Sequence, residues 1–237
     1  MMIDWGLGPA RQSDLLGFAG SHIDLAKIAT GTSRLYSEDQ LRAKLDLYKQ
    51  HEVRPFLGGQ FQEYVYATQG ADALPIFLDE AVRVGFEVVE ISDNCVPLSS
   101  TERRAQISMA RDRGLTVFGE VGSKTDQSDP ASLVSQAGDC YQAGAELVLV
   151  EGAEIAPGGR ANMALISALR DGLDLGRVLF ELPGPWISDT SMASIHDLKK
   201  FLVEQFGPDV NLANVMPDDI IETEALRVGL GVVGPKP

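Results

Sequence analysis

Four short apolar runs in this chain each carry a glutamate near their end, and they recur at a nearly constant interval. They are Val88-Val89-Glu90, Phe118-Gly119-Glu120, Leu149-Val150-Glu151 and Leu179-Phe180-Glu181, with glutamates spaced 30, 31 and 30 residues apart. One more step of 30 reaches Asn211, and steps of 31 and 32 back from Glu90 reach Gly59 and Lys27. A strand, a helix and two short loops take about 30 residues, so the interval marks a repeated strand–helix unit. A carboxylate inside an apolar strand is costly to bury without a partner. Four at equivalent positions therefore point to one shared site.

Eight such units fit the 237 residues. Strands are predicted near Ile3, at 22–29, 53–57, 86–91, 116–121, 147–150, 178–182 and 211–215. Helices are predicted at 13–19, from Ser37, and at 72–84, 99–113, 132–143, 162–172, 194–206 and 217–228. Ser37 and Ser99 are good N-caps, and Gly144 stands where a helix C-terminus wants glycine. The segment after Gly152 reads as a glycine- and proline-rich loop. The expected fold is a single-domain (β/α)8 barrel over residues 1–237, with a Gly/Pro tail from about 229; a doubly wound open sheet is the alternative. In a barrel the catalytic face is the C-terminal edge of the strands, where these late-strand residues should gather.

Net charge is −14 and the chain has no Lys/Arg run, so it lacks the electrostatic footprint of a nucleic-acid or anionic-membrane binder. Cys95 and Cys140 form neither a disulfide framework nor a zinc pattern. No apolar run reaches membrane-spanning length and no signal peptide is read, which makes a cytoplasmic protein the expectation.

Glu90, Glu120, Glu151 and Glu181 offer oxygen donors of the kind Mg2+ favours, and four ionised acids cannot share a site without a cation or protonation. Against this stands the plainer reading that one or two are structural. Asp93 and Glu154, just past Glu90 and Glu151, are supporting acids or simple loop acids. Lys27 lies within an apolar strand, where it either pairs with an acid or holds an anionic substrate. Lys124, four residues past Glu120, is a proton donor or a solvated loop lysine. Gly58 and Gly59 let backbone N–H groups approach an anion. His22, His51 and His196 fall off the repeat, so a histidine triad is not expected. No GxGxxG or P-loop indicates a nucleotide.

These motifs, taken in order, resemble the phosphosulfolactate synthase family along nearly the whole chain. They are Asp4-Trp5-Gly6-Leu7-Gly8-Pro9, Ile23-Asp24-Leu25-Ala26-Lys27 with Gly31-Thr32-Ser33, Gly58-Gly59, Val89-Glu90-Ile91-Ser92-Asp93, Glu120-Val121-Gly122-Ser123-Lys124, Val150-Glu151-Gly152, Phe180-Glu181 and Asn211-Leu212-Ala213-Asn214. The resemblance implies a Mg2+-dependent barrel of coenzyme M biosynthesis that adds sulfite to phosphoenolpyruvate. It implies Glu90, Glu151 and Glu181 as metal ligands, with Lys124, Lys27 and Glu120 catalytic and Lys124 protonating the α-carbon. Arg11, Arg34, Gly58, Gly59, Trp186, Asn211 and Asn214 are the expected contacts to a small anionic substrate. A homo-oligomer, a trimer, is implied as well.

The chain also departs from the family. Glu151-Gly152-Ala153-Glu154-Ile155-Ala156 lacks the family's arginine, and Pro183-Gly184-Pro185-Trp186 replaces a lysine and glutamines. Arg227-Val228-Gly229-Leu230-Gly231 lacks further arginines, and Ser123-Lys124 replaces a lysine pair. These losses cluster where barrels commonly bind phosphate. Arg11, Arg34 and Arg160 are the nearest compensations in the sequence. The expectation is a divergent member whose substrate is an enol or α,β-unsaturated carboxylate, with Trp186 on an apolar portion. A metal-dependent aldolase or isomerase and a non-catalytic stress-related homologue are the alternatives. Four retained glutamates and both lysines argue against the latter.

Overall fold

The structure, a computed structural model, describes residues 1–123, 127–156, 161–184, 186–187 and 190–231. Eight parallel strands follow in sequence order: β1 (Met2–Asp4), β2 (Leu25–Ile28), β3 (Arg54–Leu57), β4 (Val88–Ile91), β5 (Thr116–Val121), β6 (Leu147–Val150), β7 (Val178–Glu181) and β8 (Leu212–Ala213). The sheet closes on itself where Met2 bridges Val215 and Ile3 N–H donates to the Val215 carbonyl at 3.0 Å. This is a (β/α)8 barrel, and the open-sheet alternative falls away.

The helices are α1 (Pro9–Ala19), α2 (Glu38–Gln50), α3 (Gly59–Gln69), α4 (Leu74–Val84), α5 (Ser100–Arg111), α6 (Pro130–Ala143), α7 (Gly152–Ile155), α8 (Met163–Gly172), α9 (Met192–Phe206) and α10 (Ile220–Arg227). The expected caps are present: Ser37 and Ser99 each form a capping box, with Gln40 and Glu102. Gly144 ends α6 in the left-handed region, at φ 99°. No helix among the described residues is long and apolar enough to cross a membrane.

Strand alternation sorts the core into two bodies. Leu25, Phe56, Val88, Phe118, Leu149, Leu179 and Ala213 fill the barrel interior. Ala26, Leu57, Val89, Val117, Val148, Val178 and Leu212 face the helices instead. Two residues beyond the interior set, in the same inward phase, stand Lys27, Gly58, Glu90, Glu120, Glu151 and Glu181. The spaced glutamates are thus the layer that caps the apolar filling.

Two helices depart from expectation. α3 lies between the third strand and α4, where no element was predicted. Its buried face holds Gly59, Gln62, Glu63 and Val65, so hydrophobic periodicity had little to detect. α7 forms a single turn where a loop was predicted, with Glu151 at its N-cap.

Candidate active site

The capping layer brings one ammonium against three acids. Lys27 Nζ donates to Glu90 Oε1 at 2.9 Å and to Glu181 Oε1 at 2.8 Å. Glu90, Glu120 and Glu181 each place an oxygen within 4.8 Å of the others, and all are buried. Gly59 N–H, the first of α3, donates to Glu90 Oε2 at 2.7 Å. A Cβ on Gly59 would stand 2.5 Å from Ser92 Cβ, so only glycine brings that N–H to the acid.

The electrostatics follow from this crowding. Burial pushes the Glu90 carboxyl up to about 7, and Glu120 pushes the same way, against Lys27 and the Gly59 N–H. Burial pulls the Lys27 ammonium down, but Glu181, Glu90 and Glu120 together outweigh it and hold it well above its ordinary value. Among the described residues of this cluster, one positive charge meets three acids, so a divalent cation or protons must make up the balance.

Glu151 stands one step outside the cluster. Its Oε1 accepts from Ala153 N–H at 3.2 Å, capping α7, while Asn94 Nδ2 reaches its Oε2 at 3.5 Å. The same Asn94 amide donates to Glu120 Oε1 at 2.5 Å, linking the two acids. So the acid expected among the catalytic groups, Glu120, sits with Glu90 and Glu181, and Glu151 joins them through Asn94. Asn94 had no signal in the sequence beyond lying four residues past Glu90. Its loop is held from α3: Glu63 accepts from Ser92 Oγ at 2.5 Å and from the Cys95 and Val96 N–H groups at 2.7 Å each.

The remaining expected residues divide by location. Gly58, Trp186 and Asn214 line the mouth with Lys27, Glu120 and Glu181 around a cavity of 30 Å³. Larger hollows lie between α2, α3 and α4 (560 Å³) and between α1 and α2 (600 Å³), but neither contains the carboxylate cluster, and the chemistry belongs to the small one. Arg34 lines the first of these outer hollows rather than the mouth. Arg11 pairs with Asp218 at 2.9 Å in solvent, with 65% of its side chain exposed.

Asn211 lies at the opposite end of the barrel. Its Nδ2 donates to the carbonyls of Leu175, Gly176 and Val178, around the start of β7. The register explains the misplacement: Glu181 pairs with Ala213, so a step of 30 falls two residues short on β8 and lands one layer too low. Asp93 is bound by Arg103, and burial raises its carboxyl above the usual range. Glu154, fully buried, accepts from Ser123 N–H, Ser128 N–H and Ser128 Oγ, and so clasps the two flanks of the β5–α6 connection. Lys124 and Arg160 lie outside the described residues.

The chain matches the model of the family described as (2R)-phospho-3-sulfolactate synthase (ComA) over residues 1–232. It is 33% identical to the phosphosulfolactate synthase of Methanocaldococcus jannaschii, covering 97% of this chain and 90% of the relative. It is 30% identical to that of Methanothermobacter thermautotrophicus, covering 97% and 88%. Among solved structures, the YdjI aldolase of Escherichia coli K12 superposes with a TM-score of 0.60 at 14% identity, over 93% of this chain and 76% of that one, a likeness of fold alone. With the barrel, its capping layer of acids and these relatives in agreement, the chain belongs to the phosphosulfolactate synthase family.

Proposed function

We propose that this chain adds sulfite to the methylene carbon of an enol or α,β-unsaturated carboxylate, forming a carbon–sulfur bond with the help of Mg2+. The observation that carries the reading is the buried convergence of Lys27, Glu90, Glu120 and Glu181 in a member of this family. The donor set suits the ion: three carboxylates within 4.8 Å of one another are hard oxygen ligands with negative charge to spare. Glu90, Glu120 and Glu181 would hold it, with Glu151 next in reach. Bound there, Mg2+ would offset the acids and supply a Lewis acid for the substrate carboxylate.

The chain's own groups set the geometry. Lys27 fixes Glu90 and Glu181 relative to each other, Gly59 N–H fixes the second oxygen of Glu90, and Asn94 fixes Glu120. Such support orients acids before substrate arrives and avoids reorganisation during reaction. In the addition, a sulfur lone pair forms the bond to the methylene carbon and the π pair moves toward the carboxylate. The α-carbon then takes one proton, and no external oxidant or reductant enters. The resemblance gives that proton transfer to Lys124.

The test is sulfonate formation, followed by mass spectrometry, with sulfite, Mg2+ and either phosphoenolpyruvate or non-phosphorylated unsaturated carboxylates. Mg2+-dependent product is expected, falling about a hundredfold in Glu120→Gln and Glu181→Gln. No sulfonate from any of these substrates, or equal turnover in both variants, would refute the reading.

A further inference from the structure

Both tryptophans of the chain stand at the mouth of this site. Trp5 follows β1 and Trp186 follows β7. Their ring centroids are 4.9 Å apart at an interplanar angle of 51°, and each is 40% exposed. Trp186 is seated there by Gly184: a Cβ on that glycine would lie 2.1 Å from the indole, so its inward pose depends on a missing side chain. Asp4 holds the other partner's turn, accepting from the N–H groups of Gly6 and Leu7 at 2.8 Å each. The pair is thus built from both sides.

Among the described residues, the rest of the mouth offers few charge-assisted donors to a phosphate. Lys27 is the cation among the described lining residues, and Glu90 and Glu181 already take two of its protons. A phosphate is held by charge-assisted bonds, and Arg11 and Arg34 are placed elsewhere.

We propose that the Trp5–Trp186 pair determines specificity by standing in for phosphate recognition. The substrate is then an enol or α,β-unsaturated carboxylate whose remaining substituent is uncharged and apolar and seats against the two indoles. This rests on the sulfite-addition reading of the same site. The cavity of 30 Å³ beside the partly exposed indoles holds about one water, so a larger substituent seats against the open faces of the two rings. Intrinsic fluorescence therefore reports entry directly, with no tryptophan elsewhere to dilute it.

The full chain with Mg2+ is titrated with phosphoenolpyruvate and with acrylates carrying methyl, ethyl or propyl at the α-carbon, and tryptophan emission is followed. Affinity should rise about fourfold per methylene, and phosphoenolpyruvate should bind at least about tenfold more weakly than the propyl member. Trp186→Ala should flatten the series, read through Trp5, and Trp186→Phe should keep most of it. Trp186→Lys should reverse the order in favour of phosphoenolpyruvate. A flat series in the wild type, tighter binding of phosphoenolpyruvate than of every acrylate, or an unchanged slope in Trp186→Ala would overturn the proposal. Sulfonate formation measured in parallel separates the two readings. Rapid turnover of tightly bound phosphoenolpyruvate overturns the apolar wall and leaves sulfite addition standing. An intact alkyl series with no sulfonate supports the wall and overturns sulfite addition.

Discussion

Replacing Lys27 by methionine tests whether the site is held together as described. The ammonium is buried and bonded to two acids at 2.9 and 2.8 Å, and methionine keeps its shape without its charge. Removing one partner of a buried ion pair costs about 3–5 kcal/mol, because the acids left behind are uncompensated. In a 237-residue chain this corresponds to a fall in Tm of roughly 6–20 °C. The loss should depend on pH. The Glu90 carboxyl is already held at about 7 against an ordinary 4.5, so between those values the folded chain binds a proton that the unfolded chain releases. That contribution is fully present below about 4.5 and is lost as pH rises through 7. Without the ammonium the folded value rises further, so the deficit of the variant should shrink at pH 5 and widen at pH 8. Mg2+ at a hundred times its Kd should restore about 2.7 kcal/mol. Thermal unfolding by circular dichroism between pH 5 and 8, with chelator and with Mg2+, measures all of this. A Tm within about 2 °C of wild type at pH 8, or a deficit that does not change with pH, would refute the account of Lys27.

Gly59→Ala places a methyl 2.5 Å from Ser92 Cβ and 3.1 Å from Glu90 Cγ, so it should cost about 1–3 kcal/mol in urea unfolding and weaken Mg2+ at least about tenfold by calorimetry. Glu154→Ala strands three donors in a buried place and should cost about 1–3 kcal/mol, with faster hydrogen exchange at the Ser123 and Ser128 amides. Asn211→Ala removes bonds at the far end of the barrel; steady-state kinetics should show kcat and KM within about twofold of wild type, with a stability loss of about 1 kcal/mol.

The barrel was legible because its signal is local. Apolar runs of four to six residues, caps such as Ser37 and Ser99, and the glycine after α6 each act over one turn or one strand. Their repetition carried the count of units. α3 was missed for the converse reason. It turns Gln62 and Glu63 inward, where they bond Gln106, Ser92 and the loop carrying Asn94, so its buried face looks polar in sequence. Asn94 was equally invisible, because its contacts to Glu120 and Glu151 lie 26 and 57 residues away.

The sequence alone determined that Lys27, Glu90, Glu120 and Glu181 would share a layer, since the strand period and the unit length together dictate phase. It could not decide which acids touch, because side-chain convergence depends on barrel stagger and on groups such as Gly59 N–H and Asn94. Stagger also moved Asn211 out of the site, by pairing Glu181 with Ala213. The meeting of Trp5 with Trp186 likewise belongs to the tertiary structure: closing β8 onto β1 is what brings residues 181 positions apart into one aromatic wall.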